Sequence, residues 1–461
     1  METDGGPLPA MSPAAKGILA AAGVSITMLI GLLGLAIFKC LRRATRSLTH
    51  AQATKGKKGA AKPKQQQQQQ RSQQQQKQQV MAAHAEPLER GMNFKELKEA
   101  EKRAEKSRKA AAKDDHASGH ALFLNTLKGH GDAVHSVAWN TEGKQLVTAC
   151  EDMVVRVFDV LDVTTRNQKY TSIRAAKIPQ GAGFGDSDNE VLVLMQGTNM
   201  AMLAAYGPTA NKAEKGPPFE QKWMLENVHG KEALLSMCTV PRAAACAGKG
   251  IAITCSTKKD ARVFDMQGKE LAKLDPNSLL NHSLVVSRDG RFAAVASFTS
   301  EIRFWELKWE KGTGAFRGPF KAMELKGHKS QVMCAAISAD NKRAVTASKD
   351  GTLRVWRIDV RYELDEDPKC TIVIAMPLPP GKVYQHVEFG PDGVIAASHE
   401  GMVHLISADR GDLLESIDAH EKPITSLSWC PRKVKTPGAS APHAVLATSS
   451  LDHKVRLWRW P

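Results

Sequence analysis

A ten-residue stretch, SKDGTLRVWR at residues 348–357, recurs along the chain in the same form. Its first half contains turn-forming residues, and its second half alternates apolar and polar side chains before a tryptophan. That pattern is typical of a tight turn followed by a β-strand. Six further stretches share this form: EDMVVRVFDV (151–160), GTNMAMLAAY (197–206), TKKDARVFDM (257–266), TSEIRFWEL (299–307), EGMVHLISAD (400–409) and LDHKVRLWRW (451–460). Aligning the seven places these residues at one equivalent position: Phe158, Ala204, Phe264, Trp305, Trp356, Ile406 and Trp458.

A second element repeats in phase with the first. The tripeptide KGH occurs at 128–130 and at 326–328, and His229 and His420 occupy the corresponding places in two other copies. Each unit is then a histidine, a strand, a turn, a second strand, a second turn and a third strand with the aromatic residue. Seven such units predict an all-β, seven-bladed β-propeller over 121–461. The stretch ALFLNTL (121–127) precedes the first histidine and should supply the outer strand of the last blade, which would close the ring.

These units resemble the WD40-repeat family, in which a Gly-His begins each repeat and a Trp-Asp ends it. The resemblance implies a structural set of four residues in the best-matched blades: His130, Thr148, Asp152 and Phe158 in the first, His328, Thr346, Asp350 and Trp356 in the fifth, and His420, Thr448, Asp452 and Trp458 in the seventh. Phe158 lacks an indole N–H, and Lys258 stands where the third repeat should have its aspartate. The second, fourth and sixth repeats match less well, so we expect apolar packing to hold them.

The recurring His, Thr and Asp sets invite comparison with a catalytic triad. An active site has no reason to repeat around a ring, so these sets predict scaffolding. We expect no enzyme activity, no catalytic residue and no cofactor. The eight cysteines contain no CxxC pair, which argues against a zinc site and a disulfide framework.

Three other motifs have simple interpretations. The glycine-rich GAGFG (181–185) lacks the lysine of a phosphate-binding loop and is expected to be a loop. DEDP (365–368) is expected to be a solvated turn between blades. NHS (281–283) is a glycosylation sequon that should stay unused in the cytoplasm. Inserts near 161–175, 207–222, 308–320 and 431–443 are the expected places for protein contacts.

The chain begins with a short segment, 1–16, followed by 22 uncharged residues at 17–38. A helix of that length spans about 33 Å, enough for a bilayer core of about 30 Å. Lys39, Arg42, Arg43 and Arg46 follow it directly. The positive-inside rule therefore predicts a single-pass transmembrane helix with the propeller in the cytoplasm.

Residues 39–120 are expected to form a basic tether that is rich in glutamine and partly helical. Residues 39–115 contain 20 Lys and Arg against 8 Asp and Glu, a net charge of +12, out of +16 for the whole chain. The favoured interpretation is a solvated spacer with weak attraction to anionic lipid. Nucleic-acid binding through this tether remains an alternative, although no aromatic platform accompanies the charge.

The order of anchor, basic tether and single propeller is similar to that of membrane WD40-repeat proteins of the endoplasmic reticulum. The stretches MELKGHKSQV, VSRDGRFAAVASFTSEIRFWEL and SKDGTLRVWRIDVRYELDEDP support this narrower resemblance. It implies a scaffold that docks cytosolic proteins on the propeller faces, in unfolded-protein and stress signalling, with an eIF2α kinase as a partner. Two alternatives stay open: a ribosome- or RNA-associated membrane factor, and a hydrolase with its site in the propeller channel.

Overall fold

The computed structural model describes residues 119–461, except for 188, 210–218, 247, 259, 277, 311–312 and 437–440. This part of the chain forms seven four-stranded antiparallel sheets, which are the blades of a β-propeller. The predicted all-β, seven-bladed fold is therefore confirmed. The predicted transmembrane helix (17–38) and tether (39–120) lie outside the described residues, apart from the last two tether positions. Within the described ranges, no helix is long and apolar enough to cross a bilayer.

The strands follow one another from the inside of each blade to its outside. Blades 1 and 2 contain β2 (Val134–Trp139), β3 (Gln145–Cys150), β4 (Val154–Asp159), β5 (Tyr170–Arg174), then β6 (Ile178–Phe184), β7 (Val191–Gln196), β8 (Ala201–Pro208) and β9 (Phe219–Glu226). Blades 3 and 4 contain β10 (Leu234–Val240), β11 (Ile251–Ser256), β12 (Ala261–Asp265), β13 (Glu270–Leu274), then β14 (Asn281–Val286), β15 (Phe292–Ser297), β16 (Ile302–Trp309) and β17 (Phe316–Leu325).

The remaining blades keep this order. Blades 5 and 6 contain β18 (Val332–Ile337), β19 (Arg343–Ser348), β20 (Thr352–Arg357), β21 (Lys369–Ala375), then β22 (His386–Phe389), β23 (Val394–His399), β24 (Met402–Ser407) and β25 (Leu413–Asp418). Blade 7 contains β26 (Ile424–Trp429), β27 (Ala444–Ser450), β28 (Val455–Trp460) and β1 (Phe123–Leu127). Short 3₁₀ turns occupy Ala244–Cys246, Tyr362–Leu364 and Pro391–Gly393.

The first strand of the propeller closes the ring. β1 pairs antiparallel with β28, from Phe123 opposite Trp458 to Leu127 opposite Val455, as the phase of the repeats predicted. Leu127 is buried in an apolar cluster that includes residues from blades 1 and 7. The outermost strand of blade 7 thus comes from the start of the propeller, and its hydrogen bonds join the two ends.

Burial explains why the second strands read as continuous apolar runs. β7, β11 and β27 are buried almost throughout, because neighbouring blades cover both of their faces. The outer strands β5 and β21 instead alternate between exposed and covered positions. The core is therefore a set of apolar layers between adjacent blades.

Blade 2 corrects two sequence predictions. The pairing of β8 with β9 shifts register immediately before Tyr206. In blade 5 the shift comes immediately before Trp356, so Tyr206, and not Ala204, takes the aromatic position of blade 2.

GAGFG is also not a loop, because four of its five residues belong to β6. A Cβ on Gly183 would overlap the Thr239 side chain of blade 3, so glycine permits close contact between the two inner strands.

The connections divide between two faces of the ring. One face carries the links from each outer strand to the next inner strand, together with the turns between second and third strands; we call it the histidine face. The long inserts lie on the opposite face, where 160–169, 310–315 and 430–443 connect strands. The remainder of the predicted insert ranges belongs to strands, as at β5 and β17, or lies outside the described residues. DEDP lies on the opposite face too, but within blade 5 and not between blades.

Candidate functional site

Blade 5 brings its four predicted residues together at the histidine face. Trp356 Nε1 donates to Thr346 Oγ1 at 2.8 Å, and Thr346 Oγ1 lies 2.7 Å from His328 Nε2. His328 Nδ1 lies 2.9 Å from Asp350 Oδ2. The same carboxylate oxygen accepts the backbone N–H of Lys329 at 2.9 Å. The chain of bonds thus links a strand of the blade to the connection that leads into it.

Blade 7 repeats this geometry. Trp458 Nε1 donates to Thr448 Oγ1 at 3.0 Å, His420 Nε2 lies 2.7 Å from that oxygen, and His420 Nδ1 lies 2.9 Å from Asp452 Oδ2. A fully buried Arg456 places Nη1 3.5 Å from Asp452 Oδ2. The carboxylate therefore has a cation beside it as well as the imidazole.

The bond directions assign the histidine tautomer. The ionised Asp350 carboxylate can only accept, so the neutral ring of His328 is protonated on Nδ1 and its Nε2 accepts the Thr346 hydroxyl. His328 Nδ1 therefore donates to Asp350. Burial lowers the pKa of His328, which keeps the ring neutral. Burial would raise the pKa of Asp350, but hydrogen bonds from Thr352, Lys329 and His328 outweigh it and hold that pKa well below its usual range.

Blade 1 assembles only part of the set. His130 Nε2 lies 2.9 Å from Thr148 Oγ1, and the Phe158 ring packs 5.6 Å from the imidazole. The Asp152 carboxylate accepts from Arg156 at 2.6 and 3.1 Å and from the Gly131 backbone at 2.9 Å. No hydrogen bond joins His130 to Asp152 in the described part of blade 1. Burial first, and then Arg156, lower the pKa of His130 to about 3.

Blade 3 has a complete histidine network that the sequence alignment missed. His229 Nε2 lies 2.8 Å from Thr254 Oγ1, and His229 Nδ1 lies 3.1 Å from Asp260 Oδ2. Asp260 stands two residues beyond Lys258, immediately before β12. The expectation that blade 3 lacks the carboxylate was therefore wrong, since Asp260, at the position that Thr352 has in blade 5, delivers the carboxylate from the end of a turn of equal register.

The other three blades use different contacts. In blade 6, Tyr384 Oη lies 2.7 Å from His404 Nδ1, and both side chains are buried. In blade 4, Val295 pairs with Arg303 in the register that Thr346 and Arg354 have in blade 5. The hydroxyl that would receive a histidine is thus replaced by a methyl group. The Tyr384–His404 bond is one polar contact that the sequence expectation of apolar packing did not include.

The inner strands also test the hydrolase alternative. His386 and Glu388 lie on β22, and Cys238 lies on β10. Burial raises the pKa of Cys238 to about 12 and that of Glu388 to about 8, and lowers that of His386 to about 4. Such a thiol is a poor nucleophile at neutral pH. Glu388 accepts the backbone N–H of Trp429 at 3.1 Å, which gives it a structural bond.

Several further features bear on the sequence expectations. The seven cysteines in the described ranges are free thiols. No group of three or more His, Cys, Asp and Glu residues in those ranges could hold a metal ion. Asn281 of the NHS sequon is 4% exposed, and its side-chain amide donates to the Ser256 carbonyl at 3.1 Å. The folded chain therefore has no room for a glycan on this asparagine.

Comparison with known proteins agrees with this geometry. The family model "WD domain, G-beta repeat" matches residues 122–159, 321–357 and 411–459. Those segments hold strands of blades 1, 5 and 7, where the threonine, aspartate and aromatic residues keep regular spacing. Blade 3 escapes the match, and its aspartate is the displaced one.

Similarity to individual proteins extends further along the chain. Human transducin beta-like protein 2 is 27% identical over 323 residues, which cover 68% of this chain and 69% of the relative. The mouse protein of the same name is 26% identical over 331 residues. U3 small nucleolar RNA-associated protein 12 of Saccharomyces cerevisiae is 26% identical over 163 residues, 35% of this chain and 15% of that protein. With seven blades, histidine networks and these matches together, the chain forms a seven-bladed propeller that contains segments matching the WD40-repeat model, and it is similar to transducin beta-like protein 2.

Proposed function

We propose that this chain is a non-enzymatic scaffold that docks cytosolic proteins on its propeller while an N-terminal helix holds it at the endoplasmic-reticulum membrane. The observation that carries the docking role is the set of buried networks in blades 1, 3, 5 and 7. Each ties a connection on the histidine face to a central strand of its blade. Loops that are fixed in this way present a preorganised surface, which lowers the entropic cost of binding a partner.

The membrane part of the proposal rests on the sequence. Residues 17–38 are uncharged and long enough to span a bilayer, and the basic residues that follow favour a cytoplasmic propeller. The resemblance to membrane WD40-repeat proteins of the endoplasmic reticulum supports that compartment. It also supports a role in stress signalling, with an eIF2α kinase as the docked protein.

Topology is the first experiment, and it needs a sequon where the folded chain can carry a glycan, which the buried Asn281 does not offer. Lys169→Thr turns the exposed stretch Asn167–Gln168–Lys169 on the opposite face into a glycosylation sequon. The full-length variant would be translated into microsomes and treated with protease and with a glycosidase. We expect digestion of the propeller and no glycan at Asn167. A protected propeller with a glycan at that site would refute cytoplasmic docking.

The partner is tested by co-precipitation of the full-length chain with the cytosolic domain of the endoplasmic-reticulum eIF2α kinase. A deletion of 17–38 provides the control for membrane anchoring. We expect association with both forms in solution and co-localisation only for the anchored one. Association that needs 17–38 in detergent solution would place the contact in the membrane segment and contradict docking on the propeller.

The basic tether favours a second candidate, a ribosome- or RNA-associated membrane factor. Binding through the +12 charge of residues 39–115 would depend steeply on salt, because each neutralised phosphate releases a counterion. Deleting 39–77 should then abolish RNA association while leaving propeller contacts intact. RNA association that survives this deletion would contradict the tether as the binding element.

A further inference from the structure

Blade 4 differs from its neighbours at the place where they carry the histidine network. Val295 replaces the threonine, and Thr299 stands where blade 5 has Asp350. A pocket of about 200 Å³ opens here on the histidine face, lined by residues that include Pro276, Ser297, Thr299, Arg303 and Glu324. The space beside the strand ends is thus left open.

An apolar patch adjoins this pocket. Leu279, Leu280 and Phe298 are 71%, 44% and 57% exposed. They are neighbours, because the Phe298 backbone N–H donates to the Leu280 carbonyl at 2.8 Å. The His282 ring lies 6.4 Å from the Phe298 ring and extends the patch toward blade 5. Grouped apolar side chains that face solvent typically mark an interaction surface.

Lysines border the patch on both sides. Lys258 lies in the turn of blade 3 that contacts Asn281 through the Thr257 carbonyl, at 2.9 Å. On the other side, the Val332 backbone N–H donates to the Thr299 carbonyl at 2.9 Å. Val332 follows the blade 5 connection that contains Lys329. Lys349 lies beside the same connection, because its backbone N–H donates to the Gln331 carbonyl at 3.0 Å. Among the described residues, none of these three ammonium groups lies within 4.0 Å of a carboxylate oxygen. Their charges are therefore available to a partner.

We infer that this blade-4 surface, made of Leu279, Leu280 and Phe298 with the flanking lysines Lys258, Lys329 and Lys349, binds a linear segment of a partner protein that carries neighbouring apolar side chains and acidic residues. The apolar side chains of the segment cover the leucines and the phenylalanine, and its carboxylates meet the lysines. The inference rests on the proposed docking function and adds the site and the chemistry of the partner. The exposed Glu301 carboxylate also lines the pocket, but the three lysines outnumber it. A net positive charge around an apolar centre favours such a segment over a purely apolar or a basic one.

The test selects peptides with the full-length chain from a phage library of random 12-residue sequences. The recovered peptides would be synthesised and their affinities measured by fluorescence anisotropy. We expect enrichment of Asp and Glu beside Leu, Phe, Trp or Ile. The double variant Leu279→Ser/Phe298→Ser should weaken binding at least tenfold, and Lys349→Glu should weaken it by about threefold. Both substitutions are at exposed positions, so the fold should be retained, as circular dichroism would verify.

Matched controls lie on the opposite face. Leu161 and Leu364 are as exposed as Leu279, and Lys342 is an exposed lysine. Their substitution by Ser, Ser and Glu should change affinity by less than twofold. Peptides that bind the Leu279→Ser/Phe298→Ser variant as tightly as the original chain would overturn the inference. Sensitivity to Leu161 or Leu364 instead would move docking to the opposite face and leave the proposed function standing. Recovered peptides without acidic residues, or none that bind saturably, would also overturn it.

Discussion

Replacing Thr346 by valine should destabilise the propeller more than the same change at Thr148. Both hydroxyls are fully buried, and each lies within hydrogen-bond distance of a histidine Nε2. The Thr346 oxygen also accepts the Trp356 indole N–H, whereas blade 1 has Phe158 and no indole. Thr346→Val therefore leaves two buried polar groups without a partner, and Thr148→Val leaves one.

The magnitude follows from that count. A buried polar group left unpaired costs about 1–3 kcal/mol. We expect Thr346→Val to lower the free energy of unfolding by about 2–6 kcal/mol and Thr148→Val by about 1–3 kcal/mol. Blade 4 already has Val295 at this position and keeps Trp305 at the aromatic position, so valine itself is compatible with the strand.

The assay is urea unfolding of the full-length chain, followed by far-ultraviolet circular dichroism so that tryptophan changes do not disturb the signal. Trp356→Phe in the Thr346→Val background should cost less than in the original chain, by at least about 0.5 kcal/mol, because the indole bond is already lost. Equal losses for the two threonine variants, together with additive behaviour of Trp356→Phe, would refute the shared-hydroxyl network.

Three further predictions concern pH, ring closure and blade contacts. Folding lowers the pKa of the buried histidines, so below about pH 6.5 the unfolded chain binds protons that the folded chain does not. The free energy of unfolding should therefore fall as the pH is lowered from about 6.5 to about 4. Each such histidine contributes a loss of up to about 1.4 kcal/mol per pH unit. His130→Gln should flatten that profile, because it removes one of the buried imidazoles. Leu127→Ala should lower the free energy of unfolding in urea by about 2–5 kcal/mol, and Leu161→Ala at an exposed position by less than about 0.5 kcal/mol. Equal small losses for the two variants would show that β1 adds little to ring closure. Gly183→Ala should lower the free energy of unfolding by about 1–3 kcal/mol, and a second change, Thr239→Ala, should restore much of that loss. A negligible effect of Gly183→Ala would show that the inner strands can move apart.

The sequence predicts the seven blades well because the repeat has both a period and a phase. Turn, strand and aromatic position recur together, so even the weak copy at 197–206 could be placed. Phase alone also assigns 121–127 to the last blade. What fails is the fine alignment in irregular units. Tyr206 was missed because blade 2 has no histidine or aspartate to anchor its register, so the small residues of β8 fit two positions two residues apart.

The displaced aspartate of blade 3 has a similar cause. A fixed-spacing alignment assumes that each carboxylate comes from the same point in the turn, and Lys258 occupies that point. The side chain of Asp260 nevertheless reaches His229, because geometry requires a carboxylate at one place in space and not at one place in the sequence. GAGFG failed differently: glycines were taken as loop formers, but here they allow two inner strands to approach.

The distribution of the networks around the ring connects stability with binding. The ring closes inside blade 7, where β1 pairs with β28, and blades 1 and 7 each have a histidine that contacts a buried threonine. Thr425 Oγ1 also donates to the Val134 carbonyl at 2.6 Å, and Trp139 Nε1 donates to the Ser428 carbonyl at 3.1 Å. Blade 4 lies on the far side of the ring between two blades that keep the network. It can lose its own histidine and present an open pocket, because its neighbours fix the connections on either side. A docking surface at blade 4 therefore costs the ring little stability, whereas the same surface at the junction of blades 1 and 7 would weaken the closure itself.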